Sequence, residues 1–370
     1  MLIKRGQLML ECAALKQVQK FLFSVTFLFL FGTQLKAQYG YFYTGKPYGS
    51  ELYLSPATQI MNGGFDMVQT VNYSNRFQEM DLISGMGRTF QSLIHPIEAI
   101  KVVGFKKFVD SELIPFGFSE TNSQWIPNYS LHLIGGGMEY ARMTDYFSHH
   151  NFQNPRLWAA VTSLTEQFLN ESVEMVGKKK LSYSAVSDFY FFDIPGIILF
   201  SFEPVQRFFS EKIVLRSWLG QASFIPQDLS LRNTGQYYSV KLQPRIAKPV
   251  SLLFYMGAGW LFGGGIDIKG NTYSLAYGTK TEKTFIIDED TEQEYVKFTP
   301  SAGFFIDRKN SLLFSLVVQT HSVYQENIRL DLFPGILKMG NKTLGLWANY
   351  SFDSRSYFGI TFRGLPGIGL

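Results

Sequence analysis

The chain has 370 residues, of which 17% are charged, 46% hydrophobic and 16% aromatic. Ordinary soluble domains carry about 25% charged residues, so this ring-rich, charge-poor composition excludes a disordered or nucleic-acid-binding protein and argues against a cytosolic enzyme. The formal charge of +4 resides in residues 1–37, which hold Lys4, Arg5, Lys16, Lys20 and Lys36 against Glu11; the remaining 29 basic and 29 acidic residues cancel, leaving no polyanion-binding face.

Residues 1–37 read as a secretory signal peptide. Four positive charges precede an apolar run from Phe21 to Phe31, and Ala37 offers a small residue before the cut. The run is too short for the roughly 20 residues of a spanning helix. Cys12, the single cysteine, falls inside this leader, so the mature chain has no disulfide and no thiolate chemistry.

Residues 38–89 read as an N-terminal segment with early strands, one of them near 64–75. Residues 90–212 form a helix-rich polar insert. Pro96 opens a helix whose apolar stripe is Ala99, Val102, Val103, Phe105 and Phe108. Two further helices cover residues 128–146 and 155–176, the second with a proline in its first turn. A short strand near 183–192 and a helix over 196–212 complete the block.

Residues 213–370 read as the C-terminal barrel strands, and from about residue 235 the period changes to two. Tyr238, Val240 and Leu242 alternate with Ser239, Lys241 and Gln243, and Tyr273, Leu275 and Tyr277 with Thr272, Ser274 and Ala276. Leu344, Leu346, Ala348, Tyr350 and Phe352 oppose Gly345, Asn349 and Ser351, with Trp347 the bulky exception. Residues 249–266 carry no charge, but five glycines argue for a strand over a helix. Alternation sends neighbouring side chains to opposite faces, and one apolar ring-rich face against one small or polar face is the pattern of a strand between lipid and lumen. Asp307-Arg308-Lys309-Asn310 and Asp353-Ser354-Arg355-Ser356 read as tight hairpin turns. The expected fold is mainly β: a transmembrane antiparallel β-barrel of about 8–12 strands with a helical plug or a periplasmic helical insert.

The candidate site residues lie in the insert. At 100° per residue, Asn128, His132, Gly136, Glu139 and Met143 share a helix face, with Arg142 at its edge. On the next helix Ser163, Glu166, Asn170 and Glu174 share a face that Gln167 and Glu171 widen, opposite Leu157, Val161, Leu164 and Phe168. Asp188 and Asp193 follow. One chemical reading makes His132 an acid or base oriented by Glu166, Glu171 or Glu174, with Arg142 holding an anionic group such as a phosphate. The competing reading pairs these groups with one another as structural ballast. His149 and His150 read as a solvated loop pair rather than a metal site, and His321 faces the lumen with Gln319 and Ser315. No metal or cofactor is expected. No Gly-x-Ser-x-Gly elbow occurs, and Gly135-Gly136-Gly137 permits close helix packing rather than phosphate binding.

The stretch Asn128-x-x-x-His132-x-x-x-Gly136-x-x-x-Tyr140, with Arg142 two residues on, an acidic helix and an Asp-containing segment ending in Gly196, resembles an uncharacterised family of Gram-negative outer-membrane proteins bearing a domain of unknown function, common in Bacteroidetes. That family often has a proline after the histidine, where this chain has Leu133. The resemblance covers roughly residues 90–200 and implies an outer-membrane location without an assigned activity. The partners expected are outer-membrane lipid and a small-molecule or lipid ligand in the barrel, with no nucleic acid. The leading role is passage, lipid handling or envelope assembly. The alternatives are a membrane-embedded hydrolase or transferase acting on lipid or lipopolysaccharide, and a soluble β-sandwich binding module.

Overall fold

A computed structural model describes residues 40–69, 75–114, 127–244, 249–288, 293–320, 327–340, 342–352 and 356–370. The expected leader over 1–37 and His321 lie outside the described residues.

The first part of the chain is helical: α1 (Gly49–Tyr53), α2 (Pro56–Gly64), α3 (Leu82–Ile94), α4 (Pro96–Val103) and α5 (Phe105–Phe108). A π-helical turn (Pro127–Gly136) runs into α6 (Gly137–His149), followed by α7 (Pro155–Glu174) and α8 (Tyr183–Ser187). A further π-helical stretch (Asp188–Asp193) then leads to α9 (Ile194–Leu199), α10 (Glu203–Arg207) and a last π turn (Phe208–Lys212); a short π turn (Val109–Leu113) also follows α5. The helices expected over 96–108, 128–146 and 155–176 are present, the first divided at Gly104, whose φ of 85° suits glycine. The helix expected over 196–212 is broken into three short pieces.

Two strand expectations are corrected. Residues 64–69 end α2 and form a 3₁₀ turn (Asp66–Gln69), and 183–193 are helical throughout. The early strands expected over 38–89 are replaced, among the described residues, by α1, α2 and α3, leaving only an isolated bridge of Arg76 to Ser230. The aromatic run Phe189–Phe192 has high strand propensity, but it continues a helix capped by Ser182 and leads into Pro195 at the first turn of α9. α2 announces itself by Ser55-Pro56-x-Thr58: Ser55 accepts from the Thr58 amide, and Thr58 Oγ1 accepts from the Ser55 amide.

The remainder forms one large, open sheet of 13 strands, one more than the top of the expected range, in the order β1-β4-β5-β6-β7-β8-β9-β10-β11-β12-β13-β2-β3. The strands are β1 (Leu215–Ser217), β2 (Ser223–Ile225), β3 (Ser230–Arg232), β4 (Tyr238–Leu242), β5 (Val250–Gly257), β6 (Gly259–Ile268) and β7 (Asn271–Asp288), followed by β8 (Gln293–Arg308), β9 (Ser311–Gln319), β10 (Ile328–Met339), β11 (Lys342–Tyr350), β12 (Tyr357–Phe362) and β13 (Leu365–Gly369). Every pairing is antiparallel except β13 with β2. The expected turn between β8 and β9 is present. Lys309 and Asn310 both take positive φ, the geometry that matches strand twist in a two-residue hairpin, and the Asn310 amide donates to Asp307 Oδ1 at 3.0 Å. The turn at 353–356 lies largely outside the described residues.

β1, at one end of this order, and β2, one strand in from the other, are joined by residues 218–222. The Trp218 and Gly220 amides donate to Tyr237 and Gly235 on the β4 side, and the Gly367 amide then donates to Ala222 on the β13 side.

The two faces of the sheet follow the alternation read from the sequence. Phe262, Leu275, Tyr277, Tyr350, Phe352, Phe358 and Ile368 are exposed, Leu275 at 67% of its surface. Ser239, Lys241, Ser274, Ser301, Asp307, Ser315, Arg329, Asp331, Asn349 and Thr361 are buried, as is Trp347. Lys241 pairs with Asp307, and Arg329 with Asp331 at 2.9 Å. Tyr53 of α1 packs into this buried face with Trp218, Tyr255, Phe305 and Phe333. The Pro127–Gly136 π turn, α6 and α9 instead lap the opposite face of β4 and β5, where Met138 and Phe200 meet Tyr238 and Met256.

No single helix among the described residues is long and apolar enough to cross a membrane; Tyr183–Leu199 with Glu203–Lys212, bent by 88°, reaches that length and composition only as a pair.

Candidate functional site

Two glycines decide how the site is assembled. A Cβ on Gly196 would stand 2.6 Å from the Leu133 carbonyl oxygen, and one on Gly137 would stand 2.7 Å from the Gly196 carbonyl oxygen. The backbones of the Pro127–Gly136 π turn and α9 therefore touch. Their neighbours along the chain, His132 and Asp193, are brought face to face. Both residues lie on π-helical stretches, a geometry that is rare and concentrated at functional sites.

His132 Nδ1 lies 3.0 Å from Asp193 Oδ1, and Nε2 lies 3.8 Å from Asp188 Oδ2. A carboxylate only accepts, so Nδ1 carries the proton and donates to Asp193. Glu171 approaches from α7: one of its oxygens, an Asp188 oxygen and a His132 nitrogen all lie within 4.8 Å of one another. Asp188, Asp193 and Glu171 are buried, and His132 keeps 15% of its side chain exposed. Both Glu171 oxygens, Asp188 Oδ1 and Asp193 Oδ2 have no hydrogen-bond partner. Burial works against the His132 imidazolium, but Asp188 and Asp193 outweigh it and hold its pKa well above the usual histidine value. Burial likewise pushes the Asp188 carboxyl up to about 8 and Glu171 well above the usual carboxylate range, with neighbouring acids adding to the rise.

A second cluster sits beside it. Arg142 Nη2 lies 2.5 Å from Glu139 Oε2 and donates to Gln59 Oε1; Gln59 in turn donates to Glu166 Oε2, and Gln236 donates to Glu166 Oε1. Glu139, Arg142, Glu166 and Gln59 are all buried. Burial raises the Glu166 carboxyl well above its ordinary range, with Glu139 adding to the effect.

The expected residues thus divide. His132, Glu171, Asp188 and Asp193 converge. Glu139, Arg142 and Glu166 form a separate network, which corrects the expectation that Arg142 holds an external anion and that Glu166 orients His132. Glu174 pairs with Lys178 at 3.0 Å, so it does not orient His132 either. Asn170 donates to the Gly63 carbonyl at 2.8 Å and Asn128 to the Glu112 carbonyl at 3.1 Å, both in packing roles. Tyr140 is buried in an apolar cluster with Met143, Ala160 and Leu219. His149 and His150 are exposed and stack with Tyr43 and Tyr146.

The misassignment has a physical cause. The helical wheel places His132 and Glu139 on one face at 100° per residue, but residues 127–136 wind with i→i+5 hydrogen bonds, and the wider turn rotates His132 away from Glu139. Gln59 and Gln236 were not foreseen. Gln59 follows the Ser55-Pro56 helix start by less than one turn, a signal present in the sequence; Gln236 precedes β4 with no local mark.

No protein-family model, curated protein or solved structure matches this chain.

Proposed function

We propose that the chain is a barrel protein of the outer membrane of a diderm bacterium, its sheet wrapped so that the exposed face meets acyl chains and the buried face forms a filled lumen. The observation that carries this reading is the inversion of polarity: serines, aspartates, lysine and arginine are buried while phenylalanine, leucine and tyrosine are exposed along the same strands. A soluble sheet places these groups the other way round. Residues 215–225, bonded to β4 along their first part and to β13 along their second, run between the two sides of the strand order and support a sheet that curls toward closure. The helical block shares the inversion. Ile83, Phe90 and Ile94 of α3 and Trp158 and Val161 of α7 are exposed, while Thr89, Ser92, Ser163, Glu166 and Glu171 are buried. A block with that surface belongs against lipid rather than free in the periplasm. In the test, the protein resists carbonate extraction, dissolves in detergent and migrates faster on a gel when unheated; release by carbonate would sink the reading and favour a soluble sandwich.

A specific observation favours lipid chemistry over passage. The buried side of the sheet is filled by Tyr53, Trp218, Tyr255, Phe305 and Phe333, which blocks passage along it. The His132–Asp193 pair supplies an oriented imidazole at the edge of the helical block. The second reading is therefore a membrane-embedded hydrolase or transferase acting on lipid or lipopolysaccharide. Its test is the lipid profile of cells carrying wild-type protein or His132→Ala, compared by mass spectrometry at equal levels of folded protein. A steady channel conductance in planar bilayers would restore the passage role.

A further inference from the structure

We infer that His132, Glu171 and Asp188 form a binding site for a divalent transition-metal cation, with Asp193 as the residue that orients the imidazole. The inference concerns the helical block alone and does not rest on the membrane reading.

Four observations converge on it. The donor set is one imidazole nitrogen and two carboxylates from three separate elements, with ligand atoms within 4.8 Å of one another. Metal–ligand bonds of about 2.0–2.2 Å place cis ligands roughly 3.0–3.5 Å apart, so side-chain adjustments of about 1 Å complete the site. His132 presents Nε2 to Asp188 while Nδ1 is engaged by Asp193, the carboxylate–histidine arrangement that fixes the tautomer and orientation of a metal-binding imidazole. Glu171 is 1% exposed with neither oxygen hydrogen-bonded, and Asp188 Oδ1 is also without a partner, although buried carboxylates ordinarily find donors. The charge is unbalanced too: three carboxylates face one imidazole, while Lys178 is paired with Glu174 and Arg142 with Glu139. Buried carboxyls in excess are neutralised by protons or by a counterion. A divalent cation supplies the counterion without a further protein side chain.

The ligand types suit Zn²⁺ or Mn²⁺, which accept mixed nitrogen and carboxylate donors; three protein donors leave a position for water or a substrate oxygen. His132, the partly exposed member, provides the access.

The experiment uses the full chain in detergent, stripped with chelator, reloaded with Zn²⁺ or Mn²⁺, desalted and assayed for metal by mass spectrometry. Wild-type protein is expected to keep one equivalent and to melt at a higher temperature when loaded. Glu171→Gln and Asp188→Asn are expected to lose the metal while retaining the circular dichroism spectrum of the folded wild-type chain. Asp193→Asn, acting through His132, is expected to weaken binding by about 10–100-fold. A His149→Ala, His150→Ala double variant is expected to keep the metal, because that pair is exposed and outside the cluster. The inference is overturned if reloaded wild-type protein keeps no metal and gains no thermal stability. It is equally overturned if Glu171→Gln retains the full equivalent or the double variant loses it.

Discussion

The sheet and the helical block both bury polar groups, and they do so on different terms. Among the described residues of the sheet, the charged side chains that are buried are Lys241, Asp307, Arg329 and Asp331, two of each sign and paired with one another. Among the described residues of the helical block seven carboxylates are buried, Glu112, Glu139, Asp145, Glu166, Glu171, Asp188 and Asp193, against two cations, Arg142 and Lys178. Balanced pairs are what a filled lumen needs to exist. The helical block holds an excess of buried acid that its own cations do not balance, and the proposed cation site rests on that excess. The difference separates scaffold from site without any appeal to relatives.

The sharpest way to break the comparison is to charge the exposed face of the sheet. Leu275 sits inside β7 between Gly264 and Phe304 and is largely exposed. If that face meets lipid, Leu275→Arg costs about 2–4 kcal/mol near the bilayer midplane. If it meets water, the change stays within about 0.5 kcal/mol. Urea titration of the protein refolded into lipid vesicles separates the two outcomes, and a neutral result removes the membrane placement.

The two regions also differ in how much of them was legible in the sequence. The longer strands after residue 235, β10 apart, could be read because a period of two is reported by every neighbouring pair, whereas the three-residue strands β1, β2 and β3 are too short to show one; even the exception, Trp347, takes the face its position dictates. The β8–β9 turn was legible because a polar four-residue run between alternating segments has few other uses. The helices at 128–146 and 155–176 were visible for the same reason of sustained period. The site inside them was half visible. The residue types were right, but the partner of each residue depends on the backbone crossing at Gly137 and Gly196 and on π-helical winding, and neither has a local periodicity to announce it. The segment at 183–193 was misread because its aromatic run favours a strand locally while the packing of its neighbours favours a helix.

That crossing gives the next prediction. Gly196→Ala forces the α9 backbone away from the Leu133 carbonyl, since the added Cβ meets backbone at 2.6 Å rather than a movable side chain. Overpacking of this kind costs about 1–3 kcal/mol. The loss is expected in the helical signal during denaturant unfolding, together with weaker metal uptake, while the heat-shifted gel mobility of the sheet is unchanged. Gly87→Ala in α3 is the matched control: nothing lies within 4 Å of its Cβ position, so the gain in helix propensity, up to about 1 kcal/mol, is expected to show as slight stabilisation. Equal destabilisation by both changes would remove the crossing as the organising feature of the site.

The last effect, modest at each step of pH, is a slope in stability, and it tests whether the acid excess in the helices burdens the fold. Asp145 of α6 is buried and accepts the amides of Phe42 and Tyr43 at 2.8 and 3.3 Å; burial pushes its carboxyl up to about 7, the backbone donors only partly offset this, and Glu51 adds to the rise. An unfolded aspartate titrates near 3.9. Between these values the folded protein holds a proton that the unfolded chain has released, so stability falls as pH rises from about 4 to about 7 and stays lower above that window. One such group contributes a slope on the order of 1 kcal/mol per pH unit. Asp145→Asn keeps an oxygen for the two amides and removes the titration, so its stability curve is expected to be flatter over that window than the wild-type curve. Glu112, also raised to about 7 by burial, keeps a residual slope in the variant. Arg216 lies close enough for the Asp145 charge to act on it, so a wild-type curve that instead rises with pH would mean that this guanidinium holds Asp145 ionised. In that case the α6 end of the helical block would be balanced in the manner of the sheet, and the excess of acid would narrow to the groups around His132 and Glu166.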